Sequence, residues 1–198
     1  MAWMRKKNEF SDFKPDVNRA TWLKTTRLTQ QQRLRLTKWS FYILTMVLAL
    51  VIQDTILSQF RLLGATTDLI VCVILLITVL EGTEVGTMFV LPAAMFYYFS
   101  GSAPSAVCVF LLTLLGTVAT MLRQLFWHRS KGSVLLCTAI ALISYELSLF
   151  VVGLFGELTW IGRFGSFLMT GIYSSLLLIP LYPLIHRIGL IGGNTWKE

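Results

Sequence analysis

Charge is scarce in this sequence. Only 14% of its 198 residues are Asp, Glu, Lys or Arg, against about 25% in an ordinary soluble domain. With 55% apolar residues and a mean hydropathy of +0.69, that deficit excludes a water-soluble enzyme and a disordered chain. Histidine is almost missing. The two present, His128 and His186, each stand beside an arginine (Arg129 and Arg187) and read as part of a basic interfacial belt. The three cysteines, Cys72, Cys108 and Cys137, lie inside apolar runs with no Cys-x-x-Cys spacing, so they read as buried structural thiols. There is no His-Glu-x-x-His helix, no phosphate-cradling glycine loop and no Gly-x-Ser-x-Gly elbow. Neither catalysis nor a cofactor is expected.

The charge that is present sits at one end. Residues 1–39 hold ten Lys/Arg and three Asp/Glu, while the rest holds seven of each and is neutral. A basic polar tail joined to an uncharged apolar body argues against nucleic acid as the partner, despite a pI of 9.6. The tail is unlike a cleavable signal, whose apolar core follows a short basic start, because the first apolar run begins only at Trp39. A crossing helix needs about 20 mainly apolar residues. Six candidate spans follow: 39–57, 62–80, 86–99, 105–122, 133–155 and 164–185. The third is short and contains Pro92. Lys and Arg favour the cytoplasmic side. Six spans with the tail inside put fifteen of them there and leave only Arg61 and Arg163 outside. The expected organisation is a basic cytoplasmic tail (1–38), an all-α six-helix transmembrane domain (39–189) and a short cytoplasmic C-terminal tail (190–198). Brief loops pack sequential helices as neighbours. No internal repeat supports an inverted-repeat transporter.

Near an anionic leaflet each basic residue contributes about 1 kcal/mol of attraction. The tail thus reads as a topology determinant on lipid headgroups or as a dock for an acidic partner. Residues 17–39 form no consistent apolar stripe, so an amphipathic anchor is not supported.

Within the spans, Glu146 is the outstanding ionisable group. Two readings stay open: a ligand or proton site, and a protonated, hydrogen-bonded strut whose partners at similar depth are Thr113, Tyr173, Ser174 or Ser175. No base lies at its depth in another span. Asp54 and Asp68 fall toward outer ends, near Gln53 and Arg61, where both can be solvated, and Asp68 suits a helix start. Glu81 and Glu84 flank Gly82 in a tight inner turn, either solvated or meeting a basic partner segment. Small residues at four-residue spacing (Gly162, Ser166, Thr170 and Ser174; Ser133, Cys137 and Ala141; Gly82 and Gly86) mark close helix packing, internal or with a partner.

From Asp68 to Arg123 these features come in an order that resembles the MreD family of bacterial rod shape-determining proteins. A short outer loop (58–64, SQFRLLG) leads to Asp68-Leu69. An apolar run ends in Glu81-Gly82, Glu84 and Gly86 follow, Ser100-Gly101 makes the outer turn, and a long apolar span ends in Arg123. The family's usual Pro-Asp-Leu has Thr67 in place of proline, and Val90, Leu91 and Pro92 occupy its glycine region. The resemblance implies a non-catalytic component of the cell-elongation machinery in the bacterial inner membrane. It would bind MreC and link MreB filaments to wall synthesis by RodA and its partner transpeptidase. It also implies the six-helix architecture of vitamin-transporter substrate-binding subunits. A carrier with a pocket near Tyr145, Glu146 and Tyr173 is therefore the alternative. The structural or partner-binding candidates are Asp68, Gly82, Glu84, Gly86, Arg123 and Glu146.

Overall fold

A computed structural model describes residues 30–57, 59, 66–126 and 131–191. Seven tail residues with basic side chains (Arg5 to Arg27), the loop with Arg61, and His128 and Arg129 lie outside them. The described residues form six α-helices: α1 (Gln30–Ile52), continued by a π-helical turn (Gln53–Leu57), α2 (Leu69–Glu81), α3 (Thr83–Phe99), α4 (Val107–Phe126), α5 (Lys131–Phe155) and α6 (Phe164–Gly189). A 3₁₀ turn, Ile161–Arg163, leads into α6. No strand occurs among the described residues.

α2 is the axis of the molecule. Twelve of its thirteen residues are buried, and it touches all five other helices. Its sequence, LIVCVILLITVLE, is apolar on every face because every face meets protein. At 1.5 Å per residue α2 is about 20 Å long, less than the roughly 30 Å of a hydrocarbon core. The expected span 62–80 is therefore helical only from Leu69 among the described residues, with Thr66–Asp68 non-helical.

The surrounding helices turn one face to α2 and the other outward. α1 buries Lys38, Tyr42, Met46 and Ala49, a stripe at four- and three-residue spacing. It exposes Phe41, Leu44, Val47, Leu48 and Val51. α4 likewise exposes Phe110, Leu114, Val118 and Met121 while burying Cys108, Leu112 and Ala119. An outer surface this apolar is a membrane surface. Four helical stretches are long and apolar enough to cross a bilayer: Gln30–Leu57, Val107–Gln124, Lys131–Phe155 and Ile161–Gly189.

α1 starts nine residues before the first apolar run and continues unbroken across residue 38, so the last part of the basic tail is already helix. α3 takes up Pro92 without ending. The fifth run's Ser133, Cys137 and Ala141 are all buried, which makes that stripe an internal packing face. In α6, Thr170 and Ser174 of the small-residue series are buried, together with Gly171. The three cysteines are free and buried.

Candidate functional site

Two polar centres lie at opposite ends of α2. The first closes its C-terminus. Glu81, the last residue of α2, meets Lys38 of α1, with Nζ 2.6 Å from Oε1 and 2.9 Å from Oε2. The Tyr42 hydroxyl donates to the same carboxylate. The side chains of Lys38 and Glu81 are 6% and 3% exposed, which makes this a buried ion pair. Trp39 and Phe89 pack on Tyr42 and on each other, and they seal the pair from one side. Glu81 thus departs from the solvated turn expected of it. The basic segment it meets belongs to its own chain, one helix earlier.

Around this pair two of the last carbonyls of α2, a part of the helix short of intrahelical donors, find partners. Gly82 N–H donates to Thr78 O at 3.2 Å. Arg123, in the last turn of α4, donates from Nη1 to Val79 O. Next to Arg123, Gln124 donates to Thr83 Oγ1 at 2.9 Å, which ties α4 to the start of α3. Gly82 turns the chain with φ 85° and ψ −175°, a region essentially restricted to glycine. One turn later, a Cβ on Gly86 would strike the Thr78 carbonyl. Glu84 is exposed in the first turn of α3, where a carboxylate complements the helix dipole.

Arg123 therefore caps α2 with a charge-assisted bond. Arg123→Ala is expected to lower stability by about 1.5–3 kcal/mol, with Arg123→Lys recovering part of the loss. Thermal unfolding in detergent measures both, and an unchanged midpoint for Arg123→Ala would contradict the cap.

The second centre opens α2. Asp68 occupies the N-cap position but makes no side-chain cap bond. Its N–H donates to Ser174 Oγ of α6 at 3.0 Å, and its carboxylate accepts from Gln53 Nε2 at 3.3 Å. Gln53 Oε1 in turn accepts from Ile70 N–H at 2.9 Å, so the side chain of Gln53 caps α2 in place of Asp68. The Asp68 carboxyl also comes within reach of the Glu146 carboxyl of α5. Asp68 is therefore half-buried and paired with a second acid, rather than solvated at an outer end. None of the partners expected for Glu146 serves it. Thr113 and Ser175 donate back to their own helices, to Val109 O and Gly171 O at 2.7 Å, the usual recourse of a helical hydroxyl. Ser174 is used by Asp68. Tyr173 is half-buried, and Gly171 lies against Ile143 and the Glu146 stem.

No protein-family model matches the chain, and no curated protein or solved structure is significantly similar to it.

The sequence candidates thus separate into two groups. Gly82, Gly86 and Arg123 gather at the C-terminal end of α2, while Asp68 and Glu146 meet at its N-terminal end and Glu84 stands apart on the surface. Sequence reasoning missed Lys38, Tyr42 and Gln53, and also Gly116, whose Cα faces Val90 and Thr78. Lys38 stands at the edge of one apolar run and Glu81 at the end of the next, but nothing in the sequence marks Lys38 off from the other nine basic residues of its tail. Asp54 also finds a partner, accepting from Ser102 Oγ at 3.2 and 3.3 Å and joining the end of α1 to the α3–α4 turn. His186 stacks on Tyr182 in α6. Among the described residues no three His, Cys, Asp or Glu converge as a metal-ligand set.

Proposed function

We propose that the protein is a non-catalytic scaffold of the bacterial cell-elongation machinery, similar to the MreD family. It spans the inner membrane six times with both termini in the cytoplasm. There it docks an MreC-like membrane protein, works beside RodA and its partner transpeptidase, and connects indirectly to MreB filaments. The observation that carries this reading is what its motif residues do. Four of the residues that carry the resemblance, Asp68, Gly82, Gly86 and Arg123, all lie at the ends of α2: one precedes its first turn, one turns the chain after it, one lets α3 close on it and one caps it. A motif devoted to seating a central helix suits a protein selected for shape and docking rather than for turnover.

Six spans require α2 and α3, about 20 and 25 Å long by helix rise, to complete their crossings with the segments that flank them. The asymmetry of fifteen cytoplasmic Lys/Arg against two supports that count. The basic tail would hold the inner face on anionic lipid. An apolar groove between α1 and α3, lined by Ile43, Met46, Met88, Pro92 and Phe96, offers a partner helix a place to pack.

Depletion in a rod-shaped host provides the test. Cells are expected to widen and round up in rich medium, with dispersed wall incorporation. The second reading, a small-molecule-binding subunit of a vitamin-type transporter, draws on the unpartnered Tyr145 and Glu146 oxygens. It predicts unchanged shape and a growth defect rescued by a vitamin, and that result would sink the scaffold.

A further inference from the structure

The pair of acids at the start of α2 has no base to balance it among the described residues. The groups around it come from all six helical segments. Asp68 and Cys72 belong to the start of α2, Gln53 to the turn after α1, Tyr97 to α3, Cys108 to α4, Tyr145 and Glu146 to α5 and Ser174 to α6. Asp68 and Glu146 lie within reach of one another, and Gln53 and Ser174 are hydrogen-bonded to Asp68. Two carboxylates facing each other in a low-dielectric interior repel strongly unless a positive charge is shared between them. Two further atoms point the same way. Glu146 is 3% exposed and its Oε1 has no hydrogen-bond partner. Tyr145 is fully buried and its hydroxyl makes no hydrogen bond, with Tyr97, Cys108 and Asp68 as the groups around it. Buried oxygens are rarely left unsatisfied, and each such group calls for an explanation. Carboxylate, amide and phenol oxygens are all ligands suited to hard cations.

We propose that Asp68 and Glu146, with the Tyr145 hydroxyl beside them, form a binding site for one small monovalent cation, a proton or a sodium ion. The entry is at the Thr66–Asp68 end, where Thr66 is exposed and Asp68 half-buried, while Glu146 lies inside. The inference is independent of the scaffold reading, since it concerns what seats α2 and not what docks on the bundle.

The test uses the full chain in detergent and reads the thermal unfolding midpoint at constant ionic strength. Choline chloride is exchanged for sodium chloride at about pH 8, and separately the choline sample is taken from about pH 8 to about pH 5. A cation bound by the native chain and not by the unfolded one raises the midpoint by about 5–10 °C at a hundredfold excess over its Kd. A rise with sodium identifies the sodium ion, and a rise with acid alone identifies the proton. Glu146→Gln and Asp68→Asn should abolish the response. Tyr145→Phe removes a hydroxyl with no partner, so it should fold as the wild type does and bind the cation about tenfold more weakly, as expected for one lost hydrogen-bond-scale contact. A wild type indifferent to both cations overturns the proposal. A full response surviving in both Tyr145→Phe and Glu146→Gln also overturns it.

Discussion

Lys38→Met is expected to destabilise the protein by about 3–5 kcal/mol, because it leaves the Glu81 carboxylate buried with a single hydrogen bond from Tyr42. At roughly 2–4 °C per kcal/mol for a chain of this size, the thermal midpoint in detergent should fall by about 10 °C. Glu81→Gln should do comparable damage from the other side. The amide still accepts from Tyr42, but the Lys38 ammonium loses its counter-charge. The double variant Lys38→Met/Glu81→Leu separates the pair from its surroundings. A buried ion pair replaced by apolar groups of similar volume is often neutral or better, so the double variant should melt near the wild type and well above either single one. Equal losses in all three would mean that shape at the site, rather than charge, holds α1 against α2. Tyr42→Phe should sit in between, losing one hydrogen bond worth about 1 kcal/mol while keeping the ring between Trp39 and Phe89.

The ion pair also shows where the sequence was readable and where it was not. Apolar runs located four of the six helices to within four residues at either end, because a bilayer-facing helix and its loops differ sharply in polarity. α1 starts nine residues before its run, and α2 was the other exception. Its run reads as a full span from residue 62, since a helix buried in protein on all sides and one bathed in lipid carry the same composition. That ambiguity moved Asp68 away from its true depth. With a span of ordinary length, Asp68 belongs at an interface with Gln53 and Arg61. With α2 thirteen residues long and starting at Leu69, it comes level with Glu146 of α5. Lys38 was misread for a similar reason. Ten basic residues in one tail look alike in sequence, and only the α1 register that buries Lys38 beside Tyr42 and Met46 sets it apart from exposed Arg33 and Arg35. Gly82 was legible because a turn between two apolar runs leaves few other residues possible, and Gly86 because small residues at four-residue spacing mark close helix packing.

Gly86→Ala should be the most damaging of the glycine substitutions, for a reason that side-chain rearrangement cannot relieve. The added methyl would meet the Thr78 carbonyl oxygen, carbon and Cα, all of them backbone of α2. Overpacking a core costs about 1–3 kcal/mol and more where nothing can move, so a loss of about 3 kcal/mol or more is expected. Gly82→Ala should cost about 1–3 kcal/mol, since φ 85° with ψ −175° is strained for any residue with a Cβ. Gly116→Ala meets only side-chain methyl groups, of Val90, Thr78 and Leu75 at 3.0, 3.4 and 3.7 Å, which can shift, so its loss should be smaller, about 1 kcal/mol. Gly162→Ala meets nothing within 4 Å and should leave the midpoint unchanged to within about 0.5 kcal/mol. The order of the four midpoints carries more weight than any one value. If Gly86→Ala melts with Gly162→Ala, then α3 does not rest on the backbone of α2. If Gly86→Ala is lowest and Gly82→Ala next, the turn and the contact one helical turn beyond it act together, holding α3 where Arg123 and Gln124 of α4 can close over the end of the central helix.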